Sequence, residues 1–368
     1  MNGWINLDKP VGMSSAAAVS RVKRVLTSTH RGEARRGASD AQQENIIPHN
    51  NSPHNHTSPH PNPPPNGEGI KIGHAGTLDP LASGILPLAL GEACKTVQYM
   101  MDAAKAYEFS VTWGQERDTD DEAGEVTATS ENRPNLEQIA AILPEFIGDI
   151  SQAPPSYSAI KLGGKRAYDL ARAGHDLEIK ARQVFVKSLE IIEEFPPPLF
   201  GDRVRVGGNS SELSPLLAPP TPPIPRKAWE GEVVTNFLCH CGKGTYIRSL
   251  ARDMGRKLGC FGYVSALRRI KVGKFDESSA ISLEMLENMV HKGSLNFLQS
   301  VESSLDDILA WELNSTQATD LRHGKKIFVP ELSSHNEKII LAKYNKNPLA
   351  MCELEAGVMK PLRVFNLG

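Results

Sequence analysis

The residues with the clearest capacity for chemistry lie in one short stretch, 73–84, which reads GHAGTLDPLASG. It contains one histidine, one aspartate and three glycines, and the apolar run ILPLAL follows at 85–90. Glycine admits positive φ and lets a ligand approach the backbone, and Pro80 biases Asp79 towards an extended or turn geometry. The stretch therefore predicts a carboxylate on a tight loop, backed by a buried strand. The alternative is that Asp79 caps a short helix beginning at Pro80.

Basic side chains are concentrated in two further parts of the chain. Between Arg248 and Lys274 the cations are Arg252, Arg256, Lys257, Arg268, Arg269 and Lys271, against Asp253 alone. A second concentration comprises Lys161, Lys165, Arg166, Arg172, Lys180 and Arg182. Such clusters bind phosphate in nucleic-acid-binding proteins. The alternative, an exposed face that keeps the protein in solution, stays open at this point.

Composition and cysteine spacing limit the class of protein. The 368 residues carry a net charge of -2, so binding to an anionic polymer would depend on local clusters. Five scattered cysteines indicate a reducing compartment rather than a disulfide framework. The segment Cys239–Cys241 lies in an apolar run typical of a strand and lacks a second ligand pair at zinc spacing, so we expect no metal there. The absence of a signal sequence and of a long apolar segment predicts a cytoplasmic protein with no membrane contact.

Hydrophobic periodicity predicts the elements that must position these residues. Period-two alternation at 107–113 predicts a half-buried strand. Further strands are predicted at 4–7, 183–195 and 233–241, and helices at 92–102, 136–147, 165–173 and 245–259. The acidic turn 118–125 does not fit a calcium loop and is predicted to be a solvated loop.

Two proline-rich segments interrupt this pattern. Residues 30–69 contain seven prolines and no aromatic, leucine or valine residue, and 196–227 contain nine prolines. Because such segments bury too little apolar area to offset the entropy of ordering, we predict disordered insertions, the second one within a β-hairpin. The expected domains are 1–299, which includes both insertions, and a small β-rich domain at 300–368 with a helix at 315–323.

Six motifs, in order, resemble those of the bacterial TruB-type tRNA pseudouridine synthases, which modify uridine 55 of the T loop. They are LDKPVGMSS (7–15), GHAGTLDPLASGILP (73–87), KAY (105–107), PSYSAIK (155–161), KGTYIR (243–248) and LRR (267–269). The resemblance covers nearly the whole chain apart from the two proline-rich segments. It implies isomerisation of a T-loop uridine of tRNA to pseudouridine, without cofactor or metal.

The resemblance also implies roles for single residues. Asp79 matches the nucleophile, which attacks either C1′ of the ribose or C6 of the ring, and Arg248 matches the arginine that pairs with it. Tyr246 matches the tyrosine beside the reacting ring, a candidate for proton transfer at C5. Four further residues match substrate-binding positions: Tyr107 stacks on the base, Leu267 lines the uracil pocket, His74 holds the flipped nucleotide and Lys9 supports the site. Flipping the target base out of the RNA stack costs a few kcal/mol, and aromatic stacking returns about 1–3 kcal/mol per base.

The fold implied by the resemblance is a mixed α/β catalytic domain with a largely antiparallel central sheet of pseudouridine-synthase type, flanked by helices, plus the small C-terminal β domain, which is similar in placement to an RNA-binding domain. We expect a monomer whose partner is the T-arm stem-loop of tRNA. A non-catalytic RNA-binding or RNA-folding protein on the same fold is the main alternative. A third class, an aspartate-based hydrolase, is disfavoured because the motif has no evident second carboxylate and no metal cluster nearby.

Overall fold

A long mixed sheet organises the N-terminal part of the molecule. The computed structural model describes residues 1–36, 70–158, 160–175, 177, 179–192 and 233–367. The helices are α1 (Ser15–Arg36), α2 (Val97–Asp102), α3 (Leu136–Ile142), α4 (Ala167–Arg172), α5 (Ile247–Lys257), α6 (Leu283–His291) and α7 (Ser315–Arg322). The strands are β1 (Gly3–Lys9), β2 (Ile72–His74), β3 (Ser83–Leu90), β4 (Lys105–Trp113), β5 (Gln115–Arg117), β6 (Val126–Thr129), β7 (Gly148–Gln152), β8 (Lys161–Leu162), β9 (Lys165–Arg166), β10 (Arg182–Ile192), β11 (Val234–Cys241), β12 (Gly262–Val272), β13 (Phe275–Asp276), β14 (Ala310–Glu312), β15 (Ile327–Phe328), β16 (Ile339–Tyr344), β17 (Asn347–Glu355) and β18 (Val358–Val364).

The order of strands in this sheet is β1-β3-β12-β4-β11-β10-β7, with β2 added to β3 and β13 to β12. The β12–β3 pair is parallel, and the other pairs in the sheet are antiparallel. This confirms the predicted mixed, largely antiparallel sheet. It places β12 between β3 and β4, although β12 is far from both in sequence. The Asp79 loop immediately precedes β3.

The central strand β4 is buried along its whole length, so its prediction as half-buried was wrong. Its apolar residues Phe109, Val111 and Trp113 pack in a cluster that includes Leu250 and Met254 of α5. The polar residues between them pair with side chains of neighbouring strands: Ser110 Oγ donates to Asn236 Oδ1 at 2.8 Å and Thr112 Oγ1 to Ser265 Oγ at 2.9 Å. Polar side chains that find such partners can be buried at little cost, which the period-two pattern does not reveal.

Several predicted helices are shorter or divided. The helix predicted at 92–102 is a 3₁₀ turn at Gly91–Lys95 followed by α2, and the helix predicted at 136–147 ends as a 3₁₀ turn at Leu143–Phe146. No helix within the described part of the chain is long and apolar enough to span a membrane.

The two predicted insertions are only partly within the described residues. Helix α1 continues to Arg36, so the first residues of the predicted disordered segment 30–69 are helical. The remainder of that segment and all of 196–227 lie outside the described residues. Strands β10 and β11, which flank the second segment, pair antiparallel, with Ile191 opposite Phe237, so the predicted hairpin is confirmed.

A second sheet, β14-β16-β17-β18-β15, forms the C-terminal part, which confirms its prediction as β-rich. Its residues Leu341 and Met351, with Phe365, share an apolar cluster with Trp4 of β1 and Ile85 of β3. Because this cluster joins both sheets, the C-terminal sheet is held against the strands that carry the Asp79 loop. The boundary between residues 299 and 300 stays a prediction.

Candidate active site

The loop that carries Asp79 connects β2 to β3 and has no helix at Pro80, so the helix-cap alternative is excluded. Ser15 Oγ donates to Leu78 O at 2.9 Å and accepts from Leu78 N at 2.8 Å. Gly12 N also donates to Pro80 O at 2.7 Å. The N-terminal motif 7–15 therefore holds the main chain on both sides of Asp79.

Arg269 of β12 supports the same loop from within the sheet and is 1% exposed. It donates through Nε to Ile85 O at 2.8 Å, and through its two terminal nitrogens to Gly76 O at 3.1 Å and Thr77 O at 3.4 Å. Gly84 pairs with Arg269 across β3 and β12 and has a φ of +98°. A Cβ there would collide with the backbone of Arg269, so this close approach requires glycine.

Arg248 lies in the first turn of α5 and joins the loop to the acidic turn. One terminal nitrogen is 2.9 Å from Asp79 Oδ2 and the other is 3.3 Å from Asp121 Oδ2. The same guanidinium donates to Thr119 O at 2.8 Å and Tyr157 O at 2.9 Å. The Arg248 side chain is 6% exposed and that of Asp79 is 38% exposed. A buried cation with four acceptors thus orients a carboxylate that is accessible from solvent.

The acidic turn 118–125 is not the solvated loop that was predicted, because its two central carboxylates are buried. Asp121 accepts from Thr119 Oγ1 at 2.6 Å and from Ala123 N at 3.1 Å. Asp120 pairs with Arg252 at 2.9 Å. Burial raises the pKa of Asp121, against the opposing effects of Thr119 and Arg248, and it raises the pKa of Asp120 to about 6. The turn therefore supplies carboxylates that pair with Arg248 and Arg252 of α5.

This arrangement also corrects two other expectations. The prediction that no second carboxylate lies near the motif was wrong, since Asp121 shares Arg248 with Asp79. The cluster between Arg248 and Lys274 was predicted to bind phosphate or to form an exposed face, yet four of its arginines are engaged inside the protein. They are Arg248, Arg252, Arg268, which pairs with Asp8 and Glu277, and Arg269.

A cleft of about 320 Å³ opens beside Asp79. Five of the seven residues predicted for the site line it: Asp79, Tyr107, Tyr246, Arg248 and Leu267. Tyr107 is 8% exposed and belongs to β4, opposite Arg269 of β12. Burial raises the pKa of its phenol. The walls thus include aromatic and aliphatic side chains, and Asp79, Arg248, Lys105 and Arg269 supply the charged groups.

Tyr246 directly precedes α5, and Gln152 of β7 holds its main chain. The Gln152 amide donates to Tyr246 O at 3.0 Å and accepts from Tyr246 N at 2.8 Å. Leu267 of β12 stands opposite Phe109 of β4, on the same strand as Arg269. Each wall residue therefore comes from an element of the main sheet or from a segment bound to it.

The other two predicted residues, Lys9 and His74, are not in the lining of the cleft. Lys9 is 0% exposed, and its Nζ donates to Pro10 O at 2.9 Å and Met13 O at 2.6 Å. Burial lowers the pKa of Lys9 to about 8, while the charge of Asp79 opposes that shift. Burial also lowers the pKa of His74, and its Nδ1 has no partner among the described residues. The position of Lys9 fits support of the loop, not contact with a bound molecule.

Sequence reasoning assigned no role in the site to Lys105, Asp121 or Arg269. Lys105 lines the cleft, and its Nζ donates to Met101 O at 2.9 Å and Ala103 O at 2.7 Å. Burial lowers the pKa of Lys105 to about 8. Each lies in a motif or turn that was noted. Arg248, which pairs with Asp121, and the acceptors of Arg269 are distant in sequence, whereas the acceptors of Lys105 lie within four residues of it. No group of three or more histidine, cysteine or acidic residues in the described ranges is placed to hold a metal ion.

Comparison with known proteins identifies the family of the chain. The N-terminal domain model of the TruB family pseudouridylate synthases matches residues 67–208, and the C-terminal domain model of tRNA pseudouridylate synthase B matches residues 248–310. A tRNA pseudouridine synthase B of Caulobacter sp. is 38% identical over 100% of this chain and 97% of its own length. The chain belongs to the TruB family of pseudouridylate synthases.

A second relative agrees with this assignment, and two solved structures share the fold. The tRNA pseudouridine synthase B of Brucella ovis is 36% identical over 100% of this chain and 97% of its own length. The fold is similar to that of a chain in a Cbf5-Nop10-Gar1 complex, with a TM-score of 0.61 and 20% identity over 99% of this chain and 84% of that chain. A chain in an H/ACA RNP bound to a substrate RNA containing 2′-deoxyuridine gives a TM-score of 0.59 and 19% identity over 99% and 85%. At these identities the structural likeness concerns the fold.

Proposed function

We propose that this TruB-family enzyme, a tRNA pseudouridine synthase, isomerises the T-loop uridine at position 55 of tRNA, with Asp79 as the nucleophile and without cofactor or metal. The observation that carries the proposal is the pairing of the half-exposed Asp79 carboxylate with the buried Arg248 at the mouth of the cleft. Arg248 pairs with Oδ2 at 2.9 Å, and the other carboxylate oxygen is Oδ1. That oxygen is the one we assign to attack.

The chemistry that follows needs a base removed from the RNA stack. A side chain can reach C1′ or C6 of a paired uridine only after the nucleotide is flipped out. Tyr107 and Leu267 offer the apolar and aromatic surface on which the flipped ring would lie. In the reaction the bond between N1 and C1′ breaks, the base turns, a bond from C5 to C1′ forms, C5 loses a proton and N1 gains one. Tyr246, on the wall of the same cleft, is our candidate to receive the C5 proton.

The supporting residues act before and after this step. His74 is proposed to help hold the flipped nucleotide, and Lys9 to support the loop from behind. We further propose that the enzyme acts as a cytoplasmic monomer and that its contact on tRNA is the T arm. A single-stranded or stem-loop substrate suits the cleft, because the cost of opening a duplex is then smaller.

The decisive experiment compares the protein with Asp79→Asn on an unmodified tRNA transcript. Nucleosides are separated by chromatography after digestion, and pseudouridine is quantified. We expect product from the unsubstituted protein only, because the amide is a far weaker nucleophile than the carboxylate. The matched control is Asp307→Asn, which changes an exposed aspartate and should leave the rate unchanged.

An altered substrate, the rate of the Asp79→Asn variant and a binding measurement separate the alternatives. A transcript with cytidine in place of uridine 55 should give no product if that position is the target. Equal rates for Asp79→Asn and the unsubstituted protein would remove Asp79 as nucleophile. Binding of the T-arm RNA with no product from any variant would favour the non-catalytic RNA-binding protein.

A further inference from the structure

Two residues at the edge of the main sheet contact Tyr246. Gln152 hydrogen-bonds its main chain, and Arg182 contacts its ring. Arg182 is the first residue of β10 and stands opposite Gln152 in the β7–β10 pair. Its guanidinium carbon lies over the Tyr246 ring, 5.3 Å from the centroid. Two paired residues at one sheet edge therefore contact the same tyrosine, one at its backbone and one at its ring.

Arg182 also contacts the turn that leads into Tyr246. One terminal nitrogen donates to Gly244 O at 3.4 Å, in the turn just before Tyr246. Gly244 has a φ of +83°, and a Cβ there would be 3.9 Å from the Arg182 guanidinium carbon. Arg182 is itself exposed, so most of its five N–H donors remain available to solvent.

We propose that Arg182 is a positioning residue for Tyr246, and this rests on the proposed function. Its guanidinium lies over the ring and keeps the ring in the orientation that the reaction at C5 needs. Arginine suits this role because a planar, charged group can stack on an aromatic face, whereas a lysine ammonium is a compact point charge. Arg182 is thus the one residue of the second basic concentration to which we assign a part in catalysis.

The variants are Arg182→Met, Arg182→Lys and the control Lys187→Met, which removes an exposed cation from the same strand. A cation–π contact at an exposed site is worth enough to change a rate by about two- to five-fold. We expect Arg182→Met to lower the single-turnover rate on saturating T-arm RNA by that factor, with Lys187→Met unchanged. Arg182→Lys keeps the positive charge but not the planar group, and it should not restore the rate. An unchanged rate in Arg182→Met, full recovery in Arg182→Lys or an equal loss in Lys187→Met would overturn the proposal.

A second measurement tests the contact without relying on activity. The protein is labelled with 3-fluorotyrosine, and the ¹⁹F resonance of Tyr246 is assigned through Tyr246→Phe. In the absence of RNA, Arg182→Met should shift or broaden that resonance, and Lys187→Met should leave it in place. An unaltered resonance in Arg182→Met would overturn the proposal even if pseudouridine is formed. Failure of the unsubstituted protein to form pseudouridine would instead count against the proposed function, and the resonance would still decide whether Arg182 holds the ring.

Discussion

Two buried arginines contact the Asp79 loop, and they hold different parts of it. Arg269 of β12 binds the main-chain carbonyls of Gly76, Thr77 and Ile85, and outside the loop it contacts the Tyr107 side chain. Arg248 of α5 binds the Asp79 carboxylate itself and a second carboxylate behind it. The first contact determines the path of the loop, and the second determines where its charge points. Loop shape and charge placement are therefore supplied by separate elements, and separate substitutions should disturb them.

The largest effect is expected from Arg248→Met. Removal of a preorganised charged partner of the reacting group should lower the single-turnover rate by about 10²–10³-fold. It also leaves Asp121 buried without its cation, which should lower the free energy of unfolding by about 3–5 kcal/mol. Single-turnover kinetics on saturating RNA and urea unfolding measure the two quantities.

Addition of Asp121→Asn to Arg248→Met separates the loss of rate from the loss of stability. In Arg248→Met combined with Asp121→Asn, the uncompensated charge is removed while the side chain can still accept from Thr119. We expect much of the unfolding free energy to return and the rate to stay low. If the rate returned together with the stability, Arg248 would act only through the packing of the protein, and the comparison of the two arginines would be wrong.

Arg269→Met should have a smaller effect on the rate and at least as large an effect on stability. Hydrogen bonds from a charged donor contribute about 1.5–3 kcal/mol each, and three carbonyls lose theirs. A loop displaced by this loss should slow the reaction about tenfold. The control is Arg21→Met, whose exposed pair with Glu287 contributes under about 1 kcal/mol. A loss of rate in Arg269→Met as large as in Arg248→Met would show that shape and charge are not separable.

The smallest effect on activity is expected from Glu108→Gln. Glu108 is a buried carboxyl group of β4 that does not line the cleft. Burial, and then the charge of Glu277, raise the pKa of Glu108 to about 7, against the opposing charge of Arg268. Between about pH 4.5 and 7 the native state then binds more protons than the unfolded state, so the free energy of unfolding falls as pH rises.

Substitution of Glu108 tests whether the free energy of unfolding falls as pH rises. Glu108→Gln should flatten the fall across that window and raise stability above pH 7 by up to about 3 kcal/mol. Denaturant unfolding at several pH values measures it, with Glu190→Gln on the exposed face of β10 as the control. A steeper fall in Glu108→Gln would contradict the assignment, and the rate of pseudouridine formation should change little.

Local sequence patterns correctly predicted elements that depend on residues close together in the chain. The glycines and Pro80 around Asp79 indicated a loop followed by the buried strand β3, and both are present. The six ordered motifs indicated the family, which the comparisons confirm. The buried face of β4 and the burial of Asp120 and Asp121 were missed, because polar residues were assumed to face solvent.

The sequence by itself therefore determined which residue types are available, the strand behind the loop and the family to which the chain belongs. Only the tertiary structure decided that Arg248 lies between Asp79 and Asp121, that Arg269 holds the loop backbone and that Lys9 lies outside the lining of the cleft. The physical reason is that a charge is buried only with a partner, and the partners of Arg248 and Arg269 come from strands and turns more than a hundred residues away. Charge patterns along the chain give the number of cations, while tertiary pairing determines which of them are buried and which line the cleft.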